Sequence, residues 1–442
     1  MRRAVWMAVT GLAGAVSVLA AGTVPGSAAA GYRSGAAGVR PAGAAAGWRG
    51  RVLGAREPGK AAGRFADVLS VSCGSAGSCA AGGSYADRSG NLQGFVASQN
   101  RGVWGREMGL PGLAALNAGG DAGVRSVSCG SAGNCAAGGS AGELGFVAAE
   151  VRGRWGRAIT MPGPGLRVPG GESEVLSVSC GSAGNCAAGG LYTDRAGRGE
   201  GFVVAEEHGV WGRPAGVAGL GGLHTHFASV VSVSCAPAGG CAAGGDRTGR
   251  SGNVQGFVVS EIGGRWGKPA GVPGLSTLNA GGLAIVESVS CGPAGGCAAG
   301  GGYAGRSGKQ EGFVALARHG VWGKAIEVPG LAALNTASGD FIVTRSVSCW
   351  SAGGCAAGGA YARRSGDEQG WVALARHGVW GKAIEVPGPG ALNVVAVSCG
   401  PGGNCAVGGD FTARSGDQLG FVALEQGGAW GKAKAIRMPA GV

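Results

Sequence analysis

Several kinds of residue or motif are scarce in this chain of 442 residues, and each scarcity removes a class of protein. Charged side chains make up only 14% of it, and mean hydropathy is slightly positive at +0.18. A disordered chain is normally more polar than that, so the composition argues for a folded one. Beyond the N-terminus no apolar run is long enough to span a bilayer. Histidine occurs five times, and the only local pair, His224-Thr-His226, has no acidic neighbour, so no metal site is expected. No Gly-x-Ser-x-Gly sits at a strand-to-helix turn, which removes that form of nucleophile elbow.

Glycine, by contrast, is plentiful, at 99 residues. Without a period such a content would suggest low complexity. Here the glycines recur at fixed places and read as turns and crowded strand positions. The stretch that recurs is Ser70-Val-Ser-Cys73-Gly-Ser-Ala-Gly-Ser-Cys79-Ala-Ala-Gly-Gly83. Near-copies carry Cys129 with Cys135, Cys180 with Cys186, Cys235 with Cys241, Cys291 with Cys297, Cys349 with Cys355, and Cys399 with Cys405. Their first cysteines are 56, 51, 55, 56, 58 and 50 residues apart, so the chain holds seven similar units, a period that signals a propeller, solenoid or array.

Each unit reads as four short strands: Ser-Val-Ser-Cys, then Cys-Ala-Ala-Gly-Gly, then Gly-Phe-Val, then a segment opened by Gly-x-Trp-Gly. A Pro-Gly connection leads to the next unit. Small residues fill the first two strands, while Phe and Trp fill the outer ones, where diverging blades need more volume. The expected fold is all-β: a seven-bladed β-propeller of four-stranded antiparallel blades, one hairpin disulfide per blade. A linear solenoid is the competing architecture, but it needs atypical end units, and units one and seven resemble the middle ones. Either the Trp48 strand or the Trp430 strand completes the last blade.

The N-terminus reads as a secretory signal over residues 1–30: Arg2-Arg3, an apolar run to about Ala21, and small residues at Ala28-Ala29-Ala30. Residues 31–64 are a flexible Gly/Ala/Arg-rich leader, and 65–442 form the propeller. Export through either the general or the twin-arginine route fits paired cysteines in an oxidising compartment. Each Cys-x5-Cys pair then closes a hairpin, worth about 2 kcal/mol in the chain-entropy model. Zinc is the rival reading, but structural zinc sites gather four ligands from neighbouring hairpins.

Two sets of recurring residues fall on the face that carries the connections. Arg88, Arg195, Arg250, Arg306, Arg364 and Arg414 sit in the turn between strands two and three; the shorter turn of unit two, Gly139 to Gly145, lacks one. Asn117, Asn279, Asn335 and Asn393, with His224 in the same slot, stand thirteen residues after the tryptophan. As a functional set they form a binding face, since arginine suits carboxylate and phosphate groups. As scaffold they are a good turn and a loop cap. A basic residue also follows every Trp-Gly (Arg106, Arg157, Arg213, Lys268, Lys324, Lys382 and Lys432), where it reads as protection of an outer strand edge. His208, His319 and His377 share one turn position and read as solvated. The net charge of +12 is spread around the disc, unlike a nucleic-acid footprint.

No residue stands out as catalytic. Asp121, Glu172, Glu174, Glu287 and Asp340 are placed in connections, with nothing singling out a pair for glycosidase chemistry. The repeat Ser-x-Ser-Cys…Cys-Ala-x-Gly followed by Gly-x-Trp resembles the cysteine-paired repeats of secreted actinomycete proteins of propeller type, over about residues 68–438. The turn Ser98-Gln99-Asn100-Arg101-Gly102-Val103-Trp104 also resembles a degraded Asp-box of sialidase-like propellers, one residue short and with Asn100 in the aspartate place. That family's catalytic tyrosine has no counterpart here, because Tyr85, Tyr192, Tyr303 and Tyr361 share one repeat position. The expectation is a secreted, monomeric, non-catalytic binding or scaffold propeller without cofactor or metal, contacting extracellular glycan or cell-envelope polymer. A glycan-cleaving hydrolase and a protein-interaction platform are the alternatives. An asymmetric group of carboxylates at the channel mouth favours the enzyme, and sevenfold-similar loops favour binding.

Overall fold

The computed structural model describes residues 12–17, 66–163, 172–182, 184–194, 197–217, 227–237, 239–249, 251–293, 295–335, 341–363, 367–388, 390–400, 402–412 and 418–435. Arg195, Arg250, Arg364, Arg414, His224, Asp340 and Trp48 lie outside them, as does most of 1–64. Among the described residues no helix is long and apolar enough to cross a membrane.

The chain is all-β, and each repeat unit is an antiparallel sheet. Unit three shows the plan: Ser173–Ser182, Asn185–Thr193 and Gly199–Glu207 pair in order. The fourth strand differs from expectation in being split. Val210–Trp211 and Ala215–Gly216 both pair with the third strand, on either side of a three-residue break. At the break Gly212 donates its N–H to Ala205 O at 2.9 Å, and Arg213 follows on the excursion. Trp430 forms the same segment of unit seven, so that unit completes itself from its own chain.

All seven cysteine pairs are disulfides. Cys73 is bonded to Cys79, Cys129 to Cys135, Cys180 to Cys186 and Cys235 to Cys241. Cys291 is bonded to Cys297, Cys349 to Cys355 and Cys399 to Cys405. Each joins directly opposed residues of the first two strands, with Cα atoms 3.9–4.0 Å apart. The zinc alternative is thereby set aside, since every cysteine sulfur is already bonded to another. The turn inside each bridge needs a positive φ, supplied by glycine, as at Gly77 with φ 72°.

Successive units pack first strand against first strand in chain order. The two serines of Ser-Val-Ser-Cys make that packing specific. Val127 N–H donates to Ser70 Oγ and Cys129 N–H to Ser72 Oγ, both at 3.0 Å. The same pair of bonds recurs at each following junction, ending with Val397 on Ser346 and Cys399 on Ser348. Buried backbone donors need partners, and here the first-strand edge of units two to seven is satisfied by hydroxyls of the unit before it. The glycines let the layers close: a Cβ on Gly189 would stand 2.4 Å from Val230 of the next unit.

The third-strand aromatics fill the space between sheets. Phe146, Phe202, Phe257, Phe313 and Trp371 are fully buried. The basic residue after Trp-Gly reaches across a junction as well. The stems of Arg157, Lys324 and Lys382 lie against Gly112, Gly274 and Gly330 in the connection of the preceding unit. The next residue adds a backbone bond, Ala325 N–H to Pro273 O and Ala383 N–H to Pro329 O, both at 2.7 Å. These side chains therefore clasp neighbours through their aliphatic stems, beyond any protection of an edge.

Units one and seven differ from the rest at their outward faces. Trp104 is 39% exposed, whereas Trp155, Trp211 and Trp380 are at most 9% exposed. Val68 and Val422 are likewise exposed. The strand Leu12–Ser17 pairs with the first strand of unit one and also meets that of unit seven.

Candidate functional site

The first strand of every unit carries a β-bulge three residues before the buried Ser-Cys step. The extra residue is Leu69, Leu176, Val231 or Val395 in four units, but Arg125, Glu287 and Arg345 in the others. A bulge interrupts the period-two alternation and re-aims a side chain. It lies toward the end of the strand that faces the connections, opposite the disulfides.

At that end the first two strands carry charged residues in a pattern that differs from unit to unit. Asp246, on the second strand of unit four, is buried and accepts a 2.6 Å hydrogen bond from Ser229 Oγ. Glu287 comes from unit five, Arg345 from unit six and Asp410 from unit seven. Asn393 Nδ2 donates to Asp410 Oδ1 at 3.2 Å. Arg345 also lies 5.7 Å from the Phe341 ring centroid and 4.0 Å from Glu368. On the far side Arg125 of unit two pairs with Glu174 of unit three.

These groups feel one another. Burial pushes the Asp246 carboxyl above its usual range, against the pull of the Ser229 hydroxyl. Burial also raises Glu287; Arg345 draws it down and Asp246 pushes it further up. Asp410 is raised by burial and lowered by the Asn393 amide and Arg345. Asp67, at the same level of unit one, is raised by burial alone. The positive charge of Arg345 thus lowers both Glu287 and Asp410, and the charge of Asp246 raises Glu287. Carboxyls held in such unequal environments are suited to hydrogen-bonding a polar ligand or keeping a proton at one of them. Among the described residues no three metal-ligating side chains gather to hold an ion.

The sequence-based site residues fall around this cluster or outside the described chain. Arg88 and Arg306 are exposed at turns of the same end. The turn of Arg88 is held by Asp87, whose carboxylate accepts from Ser89 N–H, Asn91 N–H and Gln93 Nε2. Asn117 and Asn279 close one-turn helices, Leu113–Leu116 and Leu275–Leu278, and Asn335 closes a third, Leu331–Leu334. The Asn117 amide donates to Leu92 O and Gln93 Oε1, and that of Asn279 to Val254 O, so these donors tie the connection to the third strand. Asn393 corrects the register of this set. The shorter connection before unit seven places it inside the first strand, Ala391–Cys399. Glu174 and Glu287 are corrected in the same way, being strand residues rather than connection residues. What the spacing did not reveal is the convergence of Asp246, Glu287, Arg345 and Asp410. Its signal was a departure from the repeat: a charge where other units have Leu or Val in the first strand, or Ser, Leu, Gly or Ala in the second.

No family model and no curated protein matches the chain. Among solved structures it shows distant similarity to a sialidase and to other β-propeller proteins. The Hadza microbial sialidase Hz136 is 12% identical, with 67% of each chain covered and a TM-score of 0.34. The β-propeller domain of Swd1 from Myceliophteria thermophila is 10% identical over 75% of this chain and 89% of that one, with a TM-score of 0.42. An ulvan lyase is 10% identical over 79% and 87%, with a TM-score of 0.40.

Proposed function

We propose that the protein is an exported, monomeric β-propeller of seven blades that binds an extracellular glycan or cell-envelope polymer at the connection end of its inner strands. The observation that carries this reading is the placement of Asp246, Glu287, Arg345 and Asp410 at or beside the first-strand bulge of units four to seven, at the connection end. Carboxylates accept from vicinal hydroxyls, and a guanidinium donates in a planar fork, so together they complement a polyhydroxylated chain. Arg88 and Arg306, exposed at the same end, add contacts for acidic substituents.

A second reading, glycan cleavage, is favoured by one specific feature. Asp246 and Glu287 sit in different environments, one braced by the Ser229 hydroxyl and the other raised by Asp246 and lowered by the Arg345 charge. Such a pair can divide acid and base roles. One experiment separates the two readings: retention on immobilised polysaccharides and release of reducing ends, for wild type, Glu287→Gln, Asp246→Asn and Arg345→Gln. Retention lost in the variants without any release supports binding. Release by wild type that the first two variants abolish supports the hydrolase. Equal retention by all four proteins sinks the site.

A further inference from the structure

The opposite end of the units carries a surface of another character. There the hairpins between the third and fourth strands stand beside the disulfide loops: Gly102 N–H donates to Gly77 O at 2.8 Å, and Gly209 N–H to Gly184 O at 2.9 Å. In five units the residue before the turn glycine is Arg101, Arg152, His208, His319 or His377, all at φ of 48–53°, while units four and seven have Gly263 and Gly427 there. Left-handed backbone at a tip turns these basic side chains out into solvent. Arg154, Arg265 and Arg318 are exposed at the same hairpins.

Beside these side chains stand aliphatic ones with little cover. Val103, Val210, Ile262, Val321 and Val379 are 69–73% exposed. Neighbouring tips also touch. Ile262 of unit four lies against Gly320 of unit five, and Arg318 donates to His377 O of unit six at 3.4 Å. The carboxylates present are fewer. Glu261 accepts from the turn at Gly264, and Glu425 pairs with Arg376 at 3.5 Å, which leaves Glu207 exposed.

We propose that this rim docks on an anionic lipid bilayer. Arginines at one level meet headgroup phosphates, each adding to adsorption on a negative surface. The aliphatic tips enter the boundary between headgroups and acyl chains, where their exposure to water ends. A soluble polyanion would use the guanidiniums and leave the aliphatics wet. The docked protein would present its connection end outward, so this contact is independent of the acidic cluster.

The test is co-sedimentation of the whole protein with vesicles of phosphatidylcholine, alone or mixed equally with phosphatidylglycerol, at low salt. The variants are Arg152→Gln/Arg154→Gln/Arg265→Gln and Val210→Asn/Val321→Asn/Val379→Asn, with thermal melts to establish that both fold. Wild type should sediment with the anionic vesicles only. The arginine variant should partition on the order of a hundredfold less, about fivefold per charge. The aliphatic variant should partition about tenfold less. Wild type remaining in the supernatant with anionic vesicles overturns the proposal. So does an aliphatic variant that sediments like wild type while heparin beads capture both, because the rim then reads charge on a soluble polyanion.

Discussion

Trp155 and Ser98 belong to different units, and the indole Nε1–H of the first donates to the hydroxyl of the second at 2.9 Å. Ser98 Oγ in turn donates to Glu150 at 2.6 Å, so one hydroxyl serves an indole and a buried carboxyl across the junction. Ser260 holds the same place in unit four and receives Trp322 Nε1 at 3.3 Å. Where the repeat has Ala149, Ala205 or Leu316 instead, the indole nitrogens of Trp211, Trp266 and Trp380 are buried without a partner. One of these junctions, between units two and three, also leaves Glu206 Oε1 without one.

Restoring the hydroxyl at that junction should therefore stabilise the protein. Ala149→Ser places an Oγ where Ser98 stands one unit earlier, able to accept from Trp211 and donate to Glu206. The expected gain is about 1–2 kcal/mol, the worth of satisfying buried polar atoms less the cost of fitting one oxygen. A chemical-denaturation midpoint that moves upward checks it. An unchanged or lower midpoint would mean the junction has no room for the group.

Glu206 also sets a pH dependence. Burial pushes its carboxyl up to about 7 from the usual 4.5. The folded state then holds a proton that the unfolded state releases, so stability falls as pH rises from about 4.5 to 7 and levels off above. The size is at most about 3 kcal/mol. Glu206→Gln should flatten that limb and be the more stable protein at pH 8, with little difference at pH 4. Parallel stability curves for the two proteins across this range would assign the effect elsewhere.

Much of the architecture was legible because cysteine, glycine and tryptophan mark the same places in every unit. The Cys-x5-Cys spacing leaves little choice once two strands pair, and the small first-strand residues match their crowding. The role of Ser-Val-Ser was not legible as more than small size, because its hydroxyls act on the next unit, some 50 residues away. The split fourth strand was hidden by Gly-Arg/Lys, which reads equally well as a strand edge. The acidic cluster was hidden for another reason. Asp246, Glu287, Arg345 and Asp410 do not share one repeat position, and only packing brings them to one level.

The serine ladder makes a direct prediction about cooperativity between units. Ser126 and Ser128 are at most 1% exposed and accept from Val178 and Cys180 N–H at 3.0 and 2.9 Å. Ser→Ala at either strands a buried donor, at a cost of about 1–3 kcal/mol. The double variant should lower the midpoint further and speed amide exchange at Val178 and Cys180 while leaving Val233 and Cys235 protected. Uniform loss of protection over all units would show that the junctions do not melt separately.

The same ladder makes a prediction about whether units one and seven meet. Unit seven carries Ala396 and Ser398 where the other units carry two serines. By the register of every other junction, Ser398 would meet Cys73 N–H and Ala396 would face Val71 N–H. Residues Leu12–Ser17 occupy that edge of unit one, pairing Val16 with Val71 and Leu12 with Cys73, and Trp104 stays exposed. A protein beginning at Gly31 lacks that strand, so its last and first units should close on one another and cover Trp104. In that shorter protein Ala396→Ser supplies the missing acceptor, and amide exchange at Val71 should slow by about fivefold, the equivalent of about 1 kcal/mol. In the full chain the same substitution should leave Val71 exchange unchanged, because the residue is already paired. Val71 exchange unaffected in both proteins would mean that units one and seven never meet.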